Sequence, residues 1–450
     1  MIMEMPKEVM YVLEKLNNAG FKSYIVGGCV RDNFMKRLPK DWDVTTSALP
    51  EEIMDIFIDE KTIEIGKRFG TITVIKDSHP IEITTFRSEG DYIDGRRPGW
   101  VEFQKDIEAD LSRRDFTINA MAYNDLKGLV DPFNGRGDIN KRLIRTVGNP
   151  KKRFNEDALR LLRAIRFSTE LGFEIEKNTY KNIKEHKDNL LEVSIERIAD
   201  EFLKILLSDK PSNGIRLLVD TGVIKYIIPE IVDTVDFNQC NPHHDKNVFD
   251  HILCVVDNSP KDIELRLAAL LHDIGKPDTF TKDEEGIGHF YNHDKVGAEL
   301  SEKILKRLKA PKKAISLVSN LVKEHMIWHN DISDKGLKRL INRVGEENII
   351  KLLTLMRSDI SCSLAIERPE VQEELAIIDK LEYRIKNILD NREALSIKDL
   401  SINGKDLIDL GVFKGPRVGE ILNILLDKVM EDESLNKRDK LLEVAKKELQ

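Results

Sequence analysis

Two sets of residues in this 450-residue chain have types and spacings suited to phosphate chemistry. The first is Asp41-Trp42-Asp43, followed by the β-branched run Val44-Thr45-Thr46. On an extended strand, residues i and i+2 face the same way, so the two carboxylates are expected to meet at one point. Unpaired, they repel. With Mg²⁺ between them they form a hard-cation site for phosphoryl chemistry. The alternative is a pair of solvated carboxylates at a strand edge. Just upstream, Ile25-Val26-Gly27-Gly28-Cys29-Val30-Arg31-Asp32 reads as a strand, a Gly-Gly turn and a helix start carrying Arg31. Glycines let backbone amides approach an anion, and a helix N-terminus favours negative charge. The turn, Arg31 and the carboxylate pair fall within 17 residues, which reads as a triphosphate cradle beside a metal site. Glu82, in Ile81-Glu82-Ile83, is either a third acid near the metal or a solvent-facing strand residue. Arg113 and Arg114, in Ser112-Arg113-Arg114-Asp115-Phe116-Thr117-Ile118-Asn119-Ala120, can grip phosphate oxygens in pairs, or can be an ordinary solvated pair.

The second set is a run of histidines. Eight of the ten in the chain lie between His243 and His329. At their centre is Leu270-Leu271-His272-Asp273-Ile274-Gly275-Lys276, where His next to Asp on an apolar helix offers one nitrogen and one oxygen ligand. His251 lies upstream, and His293, His325 and Asp359 follow. A mixed imidazole and carboxylate set suits Mn²⁺, Fe²⁺, Ni²⁺ or Mg²⁺. His329, four residues after His325, either joins the site or faces solvent.

The elements that must position these residues change character along the chain. Pro6–Asn18 reads as an amphipathic helix stopped near Gly20. Short β-branched runs follow at Tyr24–Val26, Asp43–Thr46, Thr71–Ile75 and Ile81–Phe86, interleaved with helical stretches such as Leu49–Phe57. After Asn149-Pro150 the strand pattern stops, and apolar residues recur at helical spacing almost to the end. Asp283–Gly288 reads as a polar loop between helices. One helix, through Asn155-Glu156-Asp157-Ala158-Leu159-Arg160-Leu161-Leu162-Arg163-Ala164-Ile165-Arg166-Phe167, is expected to show Asp157, Arg160, Arg163 and Arg166 on one broad face. An Asp157–Arg160 salt bridge at i,i+3 is the plain alternative. The fold class is therefore α+β: a small mixed-sheet head followed by a long all-α neck, body and tail. The expected divisions are residues 1–149, 150–235, 236–365 and 366–450.

Composition sets the outer bounds. The length suits roughly three domains. Lys plus Arg total 71 and Asp plus Glu 79, a net charge of -8, which taken alone argues against a polyanion partner. That balance is uneven: Arg96 to Arg166 holds 16 basic and 10 acidic residues, so the segment is +6 and the remainder -14. Four scattered cysteines (Cys29, Cys240, Cys254, Cys362) show no CxxC spacing, which excludes a disulfide scaffold and suggests a reduced, cytoplasmic protein. MIMEMPKEVM lacks the pattern of a signal peptide, and no stretch is apolar for about 20 residues, so no membrane partner is expected. Nothing in the spacing implies an oligomeric state.

The Gly-Gly-x-Val-Arg-Asp segment, Asp41-x-Asp43, and Arg-Arg-Asp-Phe-Thr-Ile-Asn-Ala resemble the head of bacterial class II CCA-adding tRNA nucleotidyltransferases, which share ancestry with bacterial poly(A) polymerases. The Asn155–Phe167 segment continues the resemblance. It implies template-independent addition of CCA to tRNA 3′ ends from CTP and ATP. Asp41 and Asp43 would bind Mg²⁺ and carry catalysis, Gly28, Arg31 and Arg114 would hold the triphosphate, and Asp157 with Arg160 would pair with the incoming base. Arg163 and Arg166 match positions implicated in nucleotide binding. A carboxylate only accepts hydrogen bonds and Arg only donates, whereas cytosine and adenine both offer an amino donor beside a ring-nitrogen acceptor. Guanine and uracil present a carbonyl to Asp157, and each unpaired contact costs about 1–3 kcal/mol.

Gly66-Lys67-Arg68-Phe69-Gly70-Thr71 is similar to the tRNA enzymes, since poly(A) polymerases usually carry a basic residue where Gly70 stands. Ser88–Pro98, with Asp91, Asp94, Arg96 and Arg97, is of the length kept by enzymes that complete the CCA end, although an A-adding specialist would keep it too. The set His251, His272, Asp273, His293, His325, Asp359 resembles the HD phosphohydrolase superfamily, implying a divalent transition metal or Mg²⁺ and hydrolysis of phosphomonoesters or 2′,3′-cyclic phosphates. The rival reading is an HD phosphohydrolase whose head only binds RNA. Gly404-Lys405-Asp406-Leu407 and Gly415-Pro416-Arg417-Val418-Gly419 are either turns that meet tRNA phosphates or plain helix–turn–helix packing.

Overall fold

A computed structural model describes residues 3–90, 100–241, 245–329 and 331–449. The chain divides into two compact units, Met1–Pro229 and Glu230–Gln450.

The first unit is built on a seven-stranded mixed sheet. Its elements begin with α1 (Lys7–Asn18), β1 (Ser23–Val26), α2 (Gly28–Phe34), β2 (Asp43–Thr46), α3 (Pro50–Ile56), β3 (Lys61–Ile63), β4 (Thr71–Lys76) and β5 (His79–Thr85). A side hairpin, β6 (Arg87–Glu89) with β7 (Val101–Phe103), precedes α4 (Ile107–Ser112). The sheet is completed by β8 (Ala122–Asn124) and β9 (Gly128–Val130), in the order β3-β4-β5-β2-β1-β8-β9. Ile25, Val44, Ile72 and Ile83 are fully buried, as period-2 burial of a covered sheet requires. Tyr24 and Val26, two residues apart on one face, pack with Phe86, Ile107 and Leu111 of α4. Helix α5 (Gly135–Lys141) and β10 (Leu143–Ile144) lead into the helical part: α6 (Pro150–Glu156), α7 (Leu159–Leu171), α8 (Lys177–His186), α9 (Ile195–Leu206) and α10 (Pro211–Thr221).

The strand pattern does not stop entirely at Asn149-Pro150. A two-residue β11 (Glu174–Ile175) pairs in parallel with β10. In the second unit, the expected Asp283–Gly288 loop is the turn (283–287) and first paired residue of a two-residue hairpin, β12 (Thr281–Lys282) with β13 (Gly288–His289), rather than a plain interhelical loop. These pairings are too short to leave a period-2 pattern.

The second unit is otherwise helical: α11 (Val248–Asn258), α12 (Ile263–Leu271), α13 (Lys276–Thr279), α14 (His293–Arg307), α15 (Lys312–Glu324), α16 (Asp334–Val344), α17 (Ile349–Ser363) and α18 (Pro369–Asp390). Its first core is apolar and closed, with Ile252, Val255, Leu270, Leu321, Val322, Leu352 and Leu355 essentially inaccessible. The tail adds α19 (Gly404–Asp409), α20 (Pro416–Glu431) and α21 (Arg438–Lys447), which share a cluster of Leu407, Ile421, Leu425, Val429 and Leu441. Gly404 and Pro416 therefore start helices in a packed tail, as the helix–turn–helix alternative expects. Among the described residues, no helix is long and apolar enough to cross a membrane.

One sequence expectation is corrected here. Cys254 of α11 and Cys362 of α17 form a disulfide, with Cα atoms 5.8 Å apart across 108 residues of sequence. The expectation of four reduced thiols rested on sequence spacing, which carries no information about two helices that pack side by side. Cys29 and Cys240 are free.

Candidate active site and metal centre

The first site forms where β1, β2 and β5 run side by side. β1 and β2 are antiparallel, with Val26 opposite Asp43. β2 and β5 are parallel, with Asp43 opposite Glu82. Partners in register project to the same face, so Glu82 stands beside Asp43 although 39 residues separate them. Asp41 lies just before β2, and Asp41, Asp43 and Glu82 all line one cleft of about 630 Å³. The Asp43 pKa is raised: burial pushes it up, Arg114 pulls it down, and the Glu82 and Asp41 carboxylates push it up again. Such a set is short of positive charge, which is the electrostatic condition for binding a cation. Glu82 thus satisfies both sequence readings, being exposed and near the pair.

The Gly-Gly turn follows Val26 directly, at the same end of β1 as Asp43. Gly27 has φ +82°, and a Cβ there would sit 3.1 Å from an Arg114 terminal nitrogen. Glycine is needed both for the backbone angle and for the close approach of that guanidinium. Buried Asp110 on α4 takes Arg113 with one oxygen, at 3.0 and 2.8 Å, and Arg114 with the other, at 3.2 Å. The Nε of Arg114 is buried with no acceptor among the described residues, as expected of a donor awaiting an anion. Arg31 is buried and gives Nη1–H to the Asn119 side-chain oxygen at 2.7 Å. Gly28 opens the seven-residue α2 that carries Arg31.

The expected templating helix is not continuous. α6 ends at Glu156 and α7 starts at Leu159, because Asp157 adopts extended angles (φ -146°, ψ 104°). Its Oδ1 instead accepts the Leu159 N–H at 3.0 Å, a helix-capping bond that an unbroken helix would not need. Asp157 and Arg160 do not form the i,i+3 salt bridge. Asp157 pairs with Arg197 of α9 at 2.8 Å, and Arg160 pairs with Glu156 at 2.6 Å while donating to the Arg113 carbonyl at 3.1 Å. Arg163 pairs with Asp115, and Arg166 with Glu201 at 2.7 Å and Glu170 at 3.1 Å. The four residues thus have different anchors, while Arg160, Arg163 and Arg166 keep the three-residue spacing of one broad face of α7. Asp115 is held well below the ordinary carboxylate range, at about 2: burial opposes ionisation, but Arg163 and then Arg160 and Asn119 outweigh it.

The second site brings together all six expected ligands. His251 comes from α11, His272 and Asp273 follow α12, His293 opens α14, His325 follows α15, and Asp359 lies on α17. His251 Nε2 is 2.9 Å from Asp359 and 3.5 Å from Asp273, and His272 Nε2 is 3.3 Å from Asp273. His293 Nε2 is 3.5 Å from the second Asp273 oxygen and 3.3 Å from His325 Nε2. Asp273 therefore belongs to both candidate trios, His251–His272–Asp273 and Asp273–His293–His325. Each Nδ1 faces a backbone carbonyl: His251 that of Cys362 (3.3 Å), His272 that of Ala269 (2.8 Å), His293 that of Phe290 (2.8 Å) and His325 that of Val322 (2.6 Å). A carbonyl only accepts, so Nδ1 carries the proton and all four Nε2 lone pairs turn inward. Burial and the neighbouring His293 and His272 lower the His325 pKa to about 3, which keeps its lone pair available. A cavity of about 450 Å³ opens beside this cluster, lined among others by Asp273, Lys276, Tyr291, Trp328 and His329. His329 is exposed and stacks on Trp328, so it lines the cavity rather than joining the trios.

Several residues of these sites had no role in the sequence reading. Asp110, Asp115, Asn119 and Lys276 sit beside or inside motifs already conspicuous in sequence. Lys276 Nζ lies 2.7 Å from Asp273 and 2.8 Å from Gln239. Arg197 and Gln239 carried no sequence signal, because their partners are 40 and 37 residues away. The 91–98 part of the Ser88–Pro98 loop, including Asp91, Asp94, Arg96 and Arg97, lies outside the described residues.

Comparison with known proteins gives three family matches in chain order. Residues 23–145 match the poly A polymerase head domain, 172–234 the probable RNA- and SrmB-binding site of polymerase A, and 246–364 the HD domain. The chain is 33% identical to a CCA-adding enzyme of Ligilactobacillus salivarius, over 99% of this chain and 97% of that one. It is also 33% identical to one of Staphylococcus haemolyticus, over 97% and 96%. The crystal structure of the Bacillus stearothermophilus CCA-adding enzyme in complex with CTP superposes with a TM-score of 0.73 at 28% identity, covering 99% of this chain and 98% of that one.

Proposed function

This chain belongs to the CCA-adding enzymes, and on that premise we propose how its own residues build C-C-A on a tRNA 3′ end from CTP and ATP. It is a nucleotidyltransferase. The observation that carries the residue assignment is Arg114, whose guanidinium lies against the Gly27 turn while its charge acts on Asp43. One side chain thus joins the anion cradle to the carboxylate cluster.

Asp41 and Asp43, with Glu82 beside them, would hold the divalent cation, which we assign as Mg²⁺. When bound there, it supplies neutralisation of the α-phosphate and activation of the tRNA 3′-hydroxyl for in-line displacement of pyrophosphate. Gly28, Arg31 and Arg114 hold the triphosphate. Asp157 and Arg160 read the base edge, with Arg197 and Glu156 setting their positions. Arg163 supports the same pocket through Asp115, and Arg166 anchors α7 to α9 through Glu201. Gly70 favours the tRNA enzyme over a poly(A) polymerase: with φ +84° and Phe103 2.7 Å from a Cβ placed there, a basic side chain would be strained.

The test is incubation with tRNA lacking its CCA, with each NTP singly and in mixtures, followed by sequencing of the ends. C-C-A supports the assignment. A long A tract would mean poly(A) polymerase, and A only after a supplied CC would mean an A-adding specialist.

The four-part division into head (1–149), neck (150–235), HD domain (236–365) and tail (366–450) accompanies this reading, as does a cytoplasmic location. For the second site we propose divalent-metal binding by His251, His272, Asp273, His293, His325 and Asp359, and phosphoester hydrolysis. Four inward Nε2 atoms around a shared Asp273 support it. The test is phosphate release from RNA ending in a 3′-phosphate or a 2′,3′-cyclic phosphate, in wild type against His272→Ala.

A further inference from the structure

The disulfide Cys254–Cys362 occupies a specific place relative to the second site. Cys254 is three residues after His251 on α11, and Cys362 is three residues after Asp359 on α17. Three residues is close to one helical turn, so each sulfur lies one turn beyond a proposed metal ligand on the same helix face. His251 and Asp359 meet each other at 2.9 Å, Nε2 to Oδ1. The carbonyl that accepts His251 Nδ1–H, at 3.3 Å, is that of Cys362 itself. The bond therefore holds together the two helices that bring the first and last ligands into contact, and it fixes the backbone group that orients His251.

We propose that Cys254–Cys362 is a redox-responsive staple for the second site: closed, it holds His251 and Asp359 at metal-binding separation, and opened by a dithiol, it loosens them and weakens metal retention. This rests on the reading of that centre as a metal site. The exchange begins at Cys254, which is half-buried, whereas Cys362 is 1% exposed. A thiolate of the dithiol attacks Cys254 Sγ, the S–S bond breaks, and Cys362 leaves as a thiolate that takes up a proton. The second thiol of the reductant then displaces Cys254 as a thiol, and the reductant departs as a cyclic disulfide. The apolar contacts around Val255, Val256, Leu352 and Leu355 do not depend on the bond, so opening it leaves the helices folded. Disulfides in reducing compartments are characteristically transient and redox-sensing.

The experiment uses the full chain carrying Asp41→Asn and Asp43→Asn, so that Mn²⁺ added as the probe reports on the second site. Alkylation under denaturing conditions without reductant should label two thiols, and with a phosphine reductant all four. The Mn²⁺ dissociation constant, read from the EPR signal of free Mn²⁺, should rise about tenfold on reduction, the scale of a lost outer-shell restraint. Cys254→Ser should bind like the reduced protein and be insensitive to reductant, while Cys240→Ser should behave like the parent. The same dissociation constant in both redox states, with binding still lost in His272→Ala, would overturn the staple and leave the metal site standing. Mn²⁺ binding that His272→Ala leaves unchanged would overturn both. If the purified protein has four free thiols, failure of oxidised glutathione to close the bond would overturn the proposal as well.

Discussion

Asp115 holds Arg163 with a single oxygen: its Oδ2 accepts from Arg163 Nε and Nη2 at 2.8 and 2.6 Å, across 48 residues of sequence. Its Oδ1 accepts from the Asn119 amide at 3.2 Å and the Phe116 N–H at 2.8 Å, and Asn119 in turn accepts from Arg31. An arginine of the phosphate cradle and an arginine of α7 are thus connected through two buried side chains. Asp115→Asn should cost about 3 kcal/mol of stability, since it leaves Arg163 without its charge partner. It should also raise misincorporation of UTP and GTP. Chemical denaturation and single-nucleotide incorporation assays check the two effects.

The same carboxyl predicts an acid response. Its folded pKa of about 2 lies below the ordinary carboxylate value. A depressed folded pKa means that the stabilisation is fully present above about pH 4 and is lost as pH falls towards 2. Unfolding of the wild type monitored between pH 5 and 2 should show this loss, and Asp115→Asn should show a shallower slope over that window.

Asp43→Ala should abolish incorporation of both CTP and ATP while tRNA binding persists, because the substitution removes a carboxylate and no basic residue. Electrophoretic mobility shift and incorporation assays on the same preparation separate the two. Normal incorporation by this variant would refute the assignment of the first site.

Arg197 pairs with Asp157 at 2.8 Å and is a positioning residue for it. Arg197→Ala should lower kcat/KM for CTP and ATP by about 10- to 100-fold, the cost of a misplaced positioning group, and should loosen discrimination against UTP. Arg197→Lys should recover part of both. An unchanged selectivity ratio in Arg197→Ala would show that Asp157 keeps its place without it.

Cys29 lies near Asp43, and burial, followed by the Asp43 charge, pushes its thiol up to about 11. Thiolate is the reactive species. At pH 8, native protein should therefore resist iodoacetamide at Cys29, and unfolding should expose it to rapid labelling, which peptide mass mapping checks.

The sequence by itself determined the local features. A strand entering Asp43, a Gly-Gly turn before Arg31, the helix from Lys7 and the adjacent His272-Asp273 pair follow from period, composition and short spacing, whereas the wider set with His251, His293, His325 and Asp359 followed from family resemblance. Tertiary structure alone decided the partners. Glu82 beside Asp43, Arg163 on Asp115, Arg197 on Asp157 and Cys254 on Cys362 join residues 39, 48, 40 and 108 apart. It also broke the helix at Asp157, because a carboxylate capping Leu159 and paired with Arg197 outweighs one more helical turn. The reason is one of range. Backbone geometry repeats every two or 3.6 residues and can be read from a short window, whereas charges and thiols pair with whatever the packing of distant elements brings within about 3 Å of them.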